Sequence, residues 1–345
     1  MTSNGNSKHQ LAWVFDLNKC IGCQTCSVAC KVLWTENDEG AAHMWWMTVN
    51  TQPGRGTPRD YETMGGGRDA NGKVILGNVP TEEEFGSGWD FNYDEVLRGG
   101  KGRSVHLTRT AGSKTWGFNW DEDEGGGEWP NAYFFYLPRL CNHCTDAPCV
   151  EACPTGAMFK REEDGLVLRN EDICRGSQQC AAACPYKKIY FNRVRNVSQH
   201  CIGCFPRLEQ NVAPACVRQC PGRAVLVGFL DDPQSSVSRL VNEWKVAVPL
   251  HPEWNTKPNV FYVPPLAPAP LNPDGSVNEN QDRIPPEYLE SLFGPAVHQS
   301  LATLKAELAK KRTGQGSEIL DTLIVYEWKD ALGPFTRDPA EIVWK

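Results

Sequence analysis

No stretch of the sequence approaches the roughly 18 uninterrupted apolar residues that a membrane-crossing helix needs. An apolar leader is also missing. Met1 to Gln10 is polar, so no signal peptide is expected and the plain inference is a cytoplasmic protein. Nor is there an excess of positive charge. Lys and Arg number 35 against 42 Asp and Glu, a net charge of −7, which argues against a nucleic-acid partner and a polybasic membrane tether. No P-loop occurs, and no G-x-G-x-x-G follows a strand. Gly65-Gly66-Gly67 is a glycine run without strand–helix context. No nucleophile–base constellation stands out, so no catalytic residue is assigned.

What the chain does have is cysteine. Fifteen fall into four groups with none left over: Cys20-x2-Cys23-x2-Cys26-x3-Cys30, Cys141-x2-Cys144-x4-Cys149-x3-Cys153, Cys174-x5-Cys180-x3-Cys184 and Cys201-x2-Cys204-x11-Cys216-x3-Cys220. A secreted disulfide scaffold would be small and carry a secretion signal. Zinc ribbons use pairs of C-x2-C knuckles, not triplets followed by a fourth cysteine. The first spacing is that of ferredoxins holding cubane iron–sulfur clusters, and the others are variations on it.

In two-cluster ferredoxins the first three cysteines of a motif curl around one cluster and the fourth ligates the other. The inner two motifs are near in sequence and pair naturally, and the outer two close around them. This expects [4Fe–4S] clusters on Cys20, Cys23, Cys26 and Cys220; on Cys30, Cys201, Cys204 and Cys216; and on Cys141, Cys144, Cys149 and Cys184. Cys153, Cys174 and Cys180 remain, one thiolate short, because Ser177 stands where the second cysteine of that motif belongs. Serine oxygen is a poor match for thiophilic iron. A [3Fe–4S] cluster is expected there, the alternative being a [4Fe–4S] cluster completed by Ser177 or water. Iron enters through the cluster cysteines only.

Around these motifs the expected fold class is α+β: two bicluster ferredoxin-like units with long loop insertions and a C-terminal helical extension. The 345 residues divide into an outer unit (1–45 with 195–230), a Gly-rich insertion (46–130), an inner unit (131–194) and a C-terminal arm with helices for subunit contacts (231–345). Leu11–Leu17 alternates as a strand with one apolar face, and residues 24–34 read as a helix. The insertion holds 17 of the 31 glycines between 54 and 127. Its Trp89, Trp116, Trp120 and Trp129 favour an ordered interface, and Asp121–Glu124 reads as an exposed or interface loop. Ser235–Trp244 fits a helix, Pro249–Pro270 an extended arm, and Ser317 is placed to cap a helix.

Trp13, Trp34, Trp45 and Trp46 flank the first motif and are expected to pack over a cluster. His143 is expected to make a hydrogen bond or an interface contact rather than ligate iron. Lys187 and Lys188 follow the three-iron motif, where they could raise its potential, dock a partner or sit solvated. Proline follows the last cysteine of three motifs, whereas Lys31 takes that place in the first.

Several strings carry a resemblance: DLNKCIGCQTC at 16–26, NWDEDEGGGEWPN at 119–131, LCNHCTDAPCVEACPTGA at 140–157, ACPYKKIYFN at 183–192 and KVAVPLHPEW at 245–254. Together with the motif order, they resemble the iron–sulfur β subunits of type II DMSO reductase-family molybdoenzymes. The likeness points most to ethylbenzene, dimethylsulfide and steroid C25 dehydrogenases, with selenate, chlorate and perchlorate reductases near and nitrate reductases more distant. It runs from about residue 11 to the C-terminus. The resemblance implies four clusters in a line between a molybdopterin-containing catalytic α subunit and a haem b γ subunit, with the three-iron site nearest the haem. It also implies the cluster pairing given above, and periplasmic residence after folded export with the α subunit. The alternatives are a reductase with reversed electron flow and a free-standing polyferredoxin; the long insertion and C-terminal arm are more than a diffusing shuttle needs.

Overall fold

The computed structural model describes residues 7–36, 38–85 and 125–342. Trp89, Trp116, Trp120 and Asp121–Glu124 lie outside the described residues. The strands are β1 (Leu11–Asp16), β2 (Thr48–Gln52), β3 (Phe135–Arg139), β4 (Met158–Lys160), β5 (Val167–Arg169), β6 (Ile189–Asn192), β7 (Val197–His200), β8 (Val225–Phe229), β9 (Val248–Pro249) and β10 (Val260–Val263). Four of them form a sheet in the order β8-β1-β10-β9, and the pairs β2-β3, β4-β5 and β6-β7 stand separately. Among these pairings only β1 with β10 is parallel.

The alternation in β1 predicts one buried face, yet all six residues are buried. Both edges of β1 are paired and both faces are covered, so Ala12 and Val14 are as enclosed as Trp13. Asp16 ends the strand. Its carboxylate accepts from the Asn18 backbone N–H (3.0 Å) and side-chain amide (2.9 Å), which turns the chain into the first cysteine loop. The other three motifs are delivered alike: β3 leads to Cys141, β5 to Cys174 and β7 to Cys201.

β10 lies within the proline-rich segment that reads as an extended arm. The segment is extended, but Pro249 of β9 and all four residues of β10 enter the central sheet, with Trp13 opposite Val260 and Asp16 opposite Val263. The helix read over Ser235–Trp244 is present, as an α-helical turn over Ser236–Ser238 that widens into a π-helix over Arg239–Glu243. Trp244 N–H reaches back to Arg239 O, and Val246 and Ala247 N–H both close on Leu240 O (3.0 and 3.1 Å), sending the chain off towards β9.

The C-terminal helices Pro286–Phe293, Ala296–Arg312 and Glu318–Ile324 bury Leu289, Phe293, Val297, Leu304 and Leu323 in the same apolar core as β1. Ser317 Oγ caps the last helix, accepting from Leu320 N–H at 3.2 Å. Lys19 fastens that helix to the first cysteine loop, its ammonium donating to Arg223 O, Leu323 O and Ile324 O at 2.7–3.0 Å. Among the described residues, no helix is long and apolar enough to cross a membrane.

Candidate functional site

The four cysteine loops share a backbone shape. The second residue after the first cysteine is left-handed in each: Gly22 (φ 66°), His143 (42°), Gly176 (68°) and Gly203 (61°). That turn aims the residue's own N–H at the preceding sulfur. His143 N–H donates to Cys141 Sγ at 3.5 Å and Gly203 N–H to Cys201 Sγ at 3.4 Å. In the third loop Gly176 and Gln178 (φ 55°) match Gly22 and Gln24 (φ 58°) of the first. Ser177 therefore occupies the backbone position of Cys23, and it is exposed.

Folding gathers the thiols into sets. Cys20, Cys23, Cys26 and Cys220 line one cavity. Cys30, Cys201, Cys204 and Cys216 line a second. Cys141, Cys144, Cys149 and Cys184 line a third. Cys153 and Cys174 both lie within electrostatic reach of Cys180, as does Cys149 of the third set.

Neighbouring sets are joined through short helical segments. Cys26 and Cys30 are one turn apart on the helix Thr25–Trp34, which separates the first set from the second by about 6 Å of helix rise. Cys149–Cys153, Cys180–Cys184 and Cys216–Cys220 repeat that i, i+4 spacing, each with one cysteine in either set of a pair. Cys141 of the third set acts on Cys201 of the second, so the two pairs meet there. Exposure follows the same order. In the first set Cys23 is exposed and the others half-buried; the second set is wholly buried. The third has only Cys141 half-buried, and in the last Cys153 and Cys174 are half-buried again.

The chemistry of the donor sets fits iron–sulfur clusters. All fifteen cysteines are free of disulfides. Burial pushes the thiols of Cys20, Cys26, Cys144 and Cys201 up to about 12 and holds Cys30, Cys149 and Cys216 well above the usual range. Such thiols ionise only for a strong electrophile, and a coordinating metal removes the proton outright. Among the described residues, no group of three or more His, Cys, Asp or Glu side chains is placed to hold a single metal ion. The sulfurs ring cavities instead, as a polynuclear guest requires.

N–H groups are aimed at these sulfurs. Trp34 Nε1 donates to Cys204 at 3.2 Å and Ala224 N–H to Cys220 at 3.3 Å. Burial would raise Cys153, but the Met158 N–H (3.5 Å) and Thr155 outweigh it and leave this thiol below its ordinary value. Hydrogen bonds to sulfur are one of the levers that set a cluster's potential.

Trp13, Trp34 and Trp46 line the second cavity as expected, whereas Trp45 does not and instead lies against the Lys31 ammonium. His143 is fully buried. Its ring stacks on Trp13 with centroids 5.5 Å apart, and Nδ1 accepts from Val167 N–H at 3.1 Å. Burial pushes this imidazole down to about 3, so it is neutral. Lys31, in the place of a proline, caps Ala41 O and Ala42 O at 2.9 Å. Lys187 and Lys188 are buried rather than solvated. Sequence reasoning gave no sign of the Trp34–sulfur bond, nor of the burial of Lys188 and Arg139, since charged residues read as surface.

Comparison with known proteins bears on this site. A family model described as a 4Fe-4S dicluster domain matches residues 132–230. The selenate reductase subunit beta of Thauera selenatis is 51% identical over 330 residues, 95% of this chain and 99% of that one. The dimethylsulfide dehydrogenase subunit beta of Rhodovulum sulfidophilum is also 51% identical, over 92% of this chain and 97% of that one. The respiratory nitrate reductase 1 beta chain of Escherichia coli (strain K12) is 34% identical, with 83% of this chain and 76% of that one covered. With its ferredoxin-like cysteine loops and these relatives, the chain belongs to the iron–sulfur, electron-transferring β subunits of type II DMSO reductase-family molybdoenzymes.

Proposed function

We propose that the chain carries three [4Fe–4S] clusters and one [3Fe–4S] cluster and relays electrons between a molybdenum catalytic α subunit and a haem b γ subunit. The four-cysteine sets would hold the cubanes, and Cys153, Cys174 and Cys180 the three-iron cluster. Two bicluster ferredoxin-like units, 131–194 and 1–45 with 195–230, would each hold a pair. When bound, the clusters supply one-electron redox steps.

The observation that carries this reading is the order of exposure. The terminal sets reach the surface and the middle sets are enclosed, which suits a conductor entered at one end and left at the other. The first set, around exposed Cys23, would face the α subunit, and the set around Cys174 would face the haem. The protein's own residues contribute N–H donors to the sulfurs, keep water from the middle sets and fix the spacing through the shared helical segments.

Low-temperature EPR with an iron assay, on the protein with its partners, tests the assignment. About fifteen irons per chain, by the ligand count, with a three-iron signal in the oxidised sample and [4Fe–4S] signals on reduction, is the expected result. About sixteen irons and no three-iron signal would sink the three-iron site.

We place the complex in the periplasm, exported folded with its α subunit, as a dehydrogenase passing electrons from molybdenum to haem. Fractionation of cells expressing all subunits checks the compartment. A reductase with the opposite flow is the second reading, favoured by the selenate reductase relative, which matches as well as the dehydrogenase one. Haem reduced by a sulfide or hydrocarbon substrate supports the first reading; reduced haem reoxidised by an oxyanion supports the second.

A further inference from the structure

We propose that Lys188 is a counter-cation shared by the second and third clusters, raising the reduction potential of both at the junction between the two cluster pairs. The inference rests on the cluster assignment above.

Lys188 is 1% exposed, and its ammonium lies among neutral oxygens: Trp45 O (3.3 Å), Thr48 Oγ1 (3.1 Å) and the Tyr190 hydroxyl (3.3 Å). Among the described residues it has no acidic partner within ion-pair distance. A buried ammonium without an opposing charge costs several kcal/mol. Burial first, then the nearby Arg139, pushes the Lys188 pKa well below the ordinary lysine value, and only Cys201, Cys30 and Cys184 act to keep the ammonium charged. Two of these belong to the second set and one to the third, whose cavity Lys188 itself lines. The charge that would balance this ammonium is therefore that of thiolates held in clusters on either side.

The neighbouring buried cations are committed elsewhere. Arg139 lies 3.2 Å from the Tyr61 ring centroid and donates to Thr57 O and Tyr186 O. Lys187 donates to Ala182 O and faces Cys184 alone among the sulfurs. A thiolate-bound cluster carries net negative charge, and each one-electron reduction deepens it by one, with the electron coming from the redox partner and no bond made or broken. A fixed positive charge between two such clusters favours the reduced form of either, and reduction of one lessens what the ammonium offers the other.

The test is an EPR-monitored redox titration of the complex, with iron analysis, for the parent and for Lys188→Met, Lys188→Gln and Lys188→Arg. In both neutral variants two of the three [4Fe–4S] potentials should fall, each by about tenfold in the reduction equilibrium, or 59 mV for one electron. The third [4Fe–4S] cluster and the three-iron cluster should stay, and Lys188→Arg should keep the parent potentials. If the neutral variants lose iron from two sites while Lys188→Arg retains it, the counter-charge is needed for loading and the proposal stands. Neutral variants fully loaded at parent potentials would overturn it. So would a shift shared by all four clusters, or one as large in Lys188→Arg. A parent lacking the expected iron and signals would instead overturn the assignment beneath it.

Discussion

Single atoms set the behaviour of individual sites. Trp34 Nε1 donates to Cys204 while its ring lines the second cavity. Trp34→Phe keeps most of the packing and removes the donor. A sulfur that loses a hydrogen bond holds added charge less well, so one [4Fe–4S] potential is expected to fall, by about a factor of ten in its equilibrium or ~59 mV. Redox titration reads this as a single moved wave, whereas the Lys188 variants should move two. Ser177→Cys places a thiol at the backbone position that Cys23 holds in the first loop. The iron content is expected to rise from about fifteen to about sixteen per chain, with the three-iron signal gone from the oxidised sample. Ser177 is legible in the sequence because spacing alone assigns its register. Lys188 and Trp34 are not, because burial of an ammonium or the aim of an indole depends on segments distant in sequence.

At the scale of elements, the loop after each strand is the working part. Gly203 sits at φ 61°, and a Cβ there would lie 2.6 Å from Leu166 Cδ2. Gly203→Ala carries a left-handed cost of about 1–2 kcal/mol plus that clash. It is expected to lower the thermal midpoint and release iron from the second set first, which calorimetry and iron analysis of the same sample would follow. An unchanged midpoint with full iron would show that the loop adapts freely. The strand β1, the helix at Thr25–Trp34 and the Ser317 cap could all be read from local pattern. β9 and β10 could not. They are two and four residues long, in or beside prolines, and they are strands because β10 pairs along one edge of β1 and β9 along the other edge of β10, not because their own pattern asks for it. The π-helical widening at Arg239–Glu243 escaped for a related reason, since a helical stripe does not reveal where the hydrogen bonds lengthen by a residue.

Across the whole molecule, the core is divided among cavities walled with sulfur. Cys30, Cys144, Cys149, Cys184 and Cys216 belong to the same apolar cluster as Val14 and Phe293, so the cluster sites are part of the packing. Taking the iron away would leave these walls without a partner, and metal binding of this kind is folding free energy. Anaerobic removal of iron by a chelator is expected to lower the thermal midpoint and erase the near-ultraviolet circular dichroism. A stripped protein that melts like the loaded one would show the scaffold to be self-sufficient. The sets also differ in when their parts become available. Cys141 to Cys184 supply the last two sets within 44 residues (184 − 141 + 1), whereas the first two sets draw on both Cys20–Cys30 and Cys201–Cys220. On the proposed assignment, the cysteines made first by the ribosome are completed last. A nascent chain halted after residue 190 is expected to bind iron at the inner pair alone, as iron analysis of the arrested product would show. Cluster loading would then run from the middle of the sequence outward, and four early thiols must stay reduced until almost 200 further residues have been made.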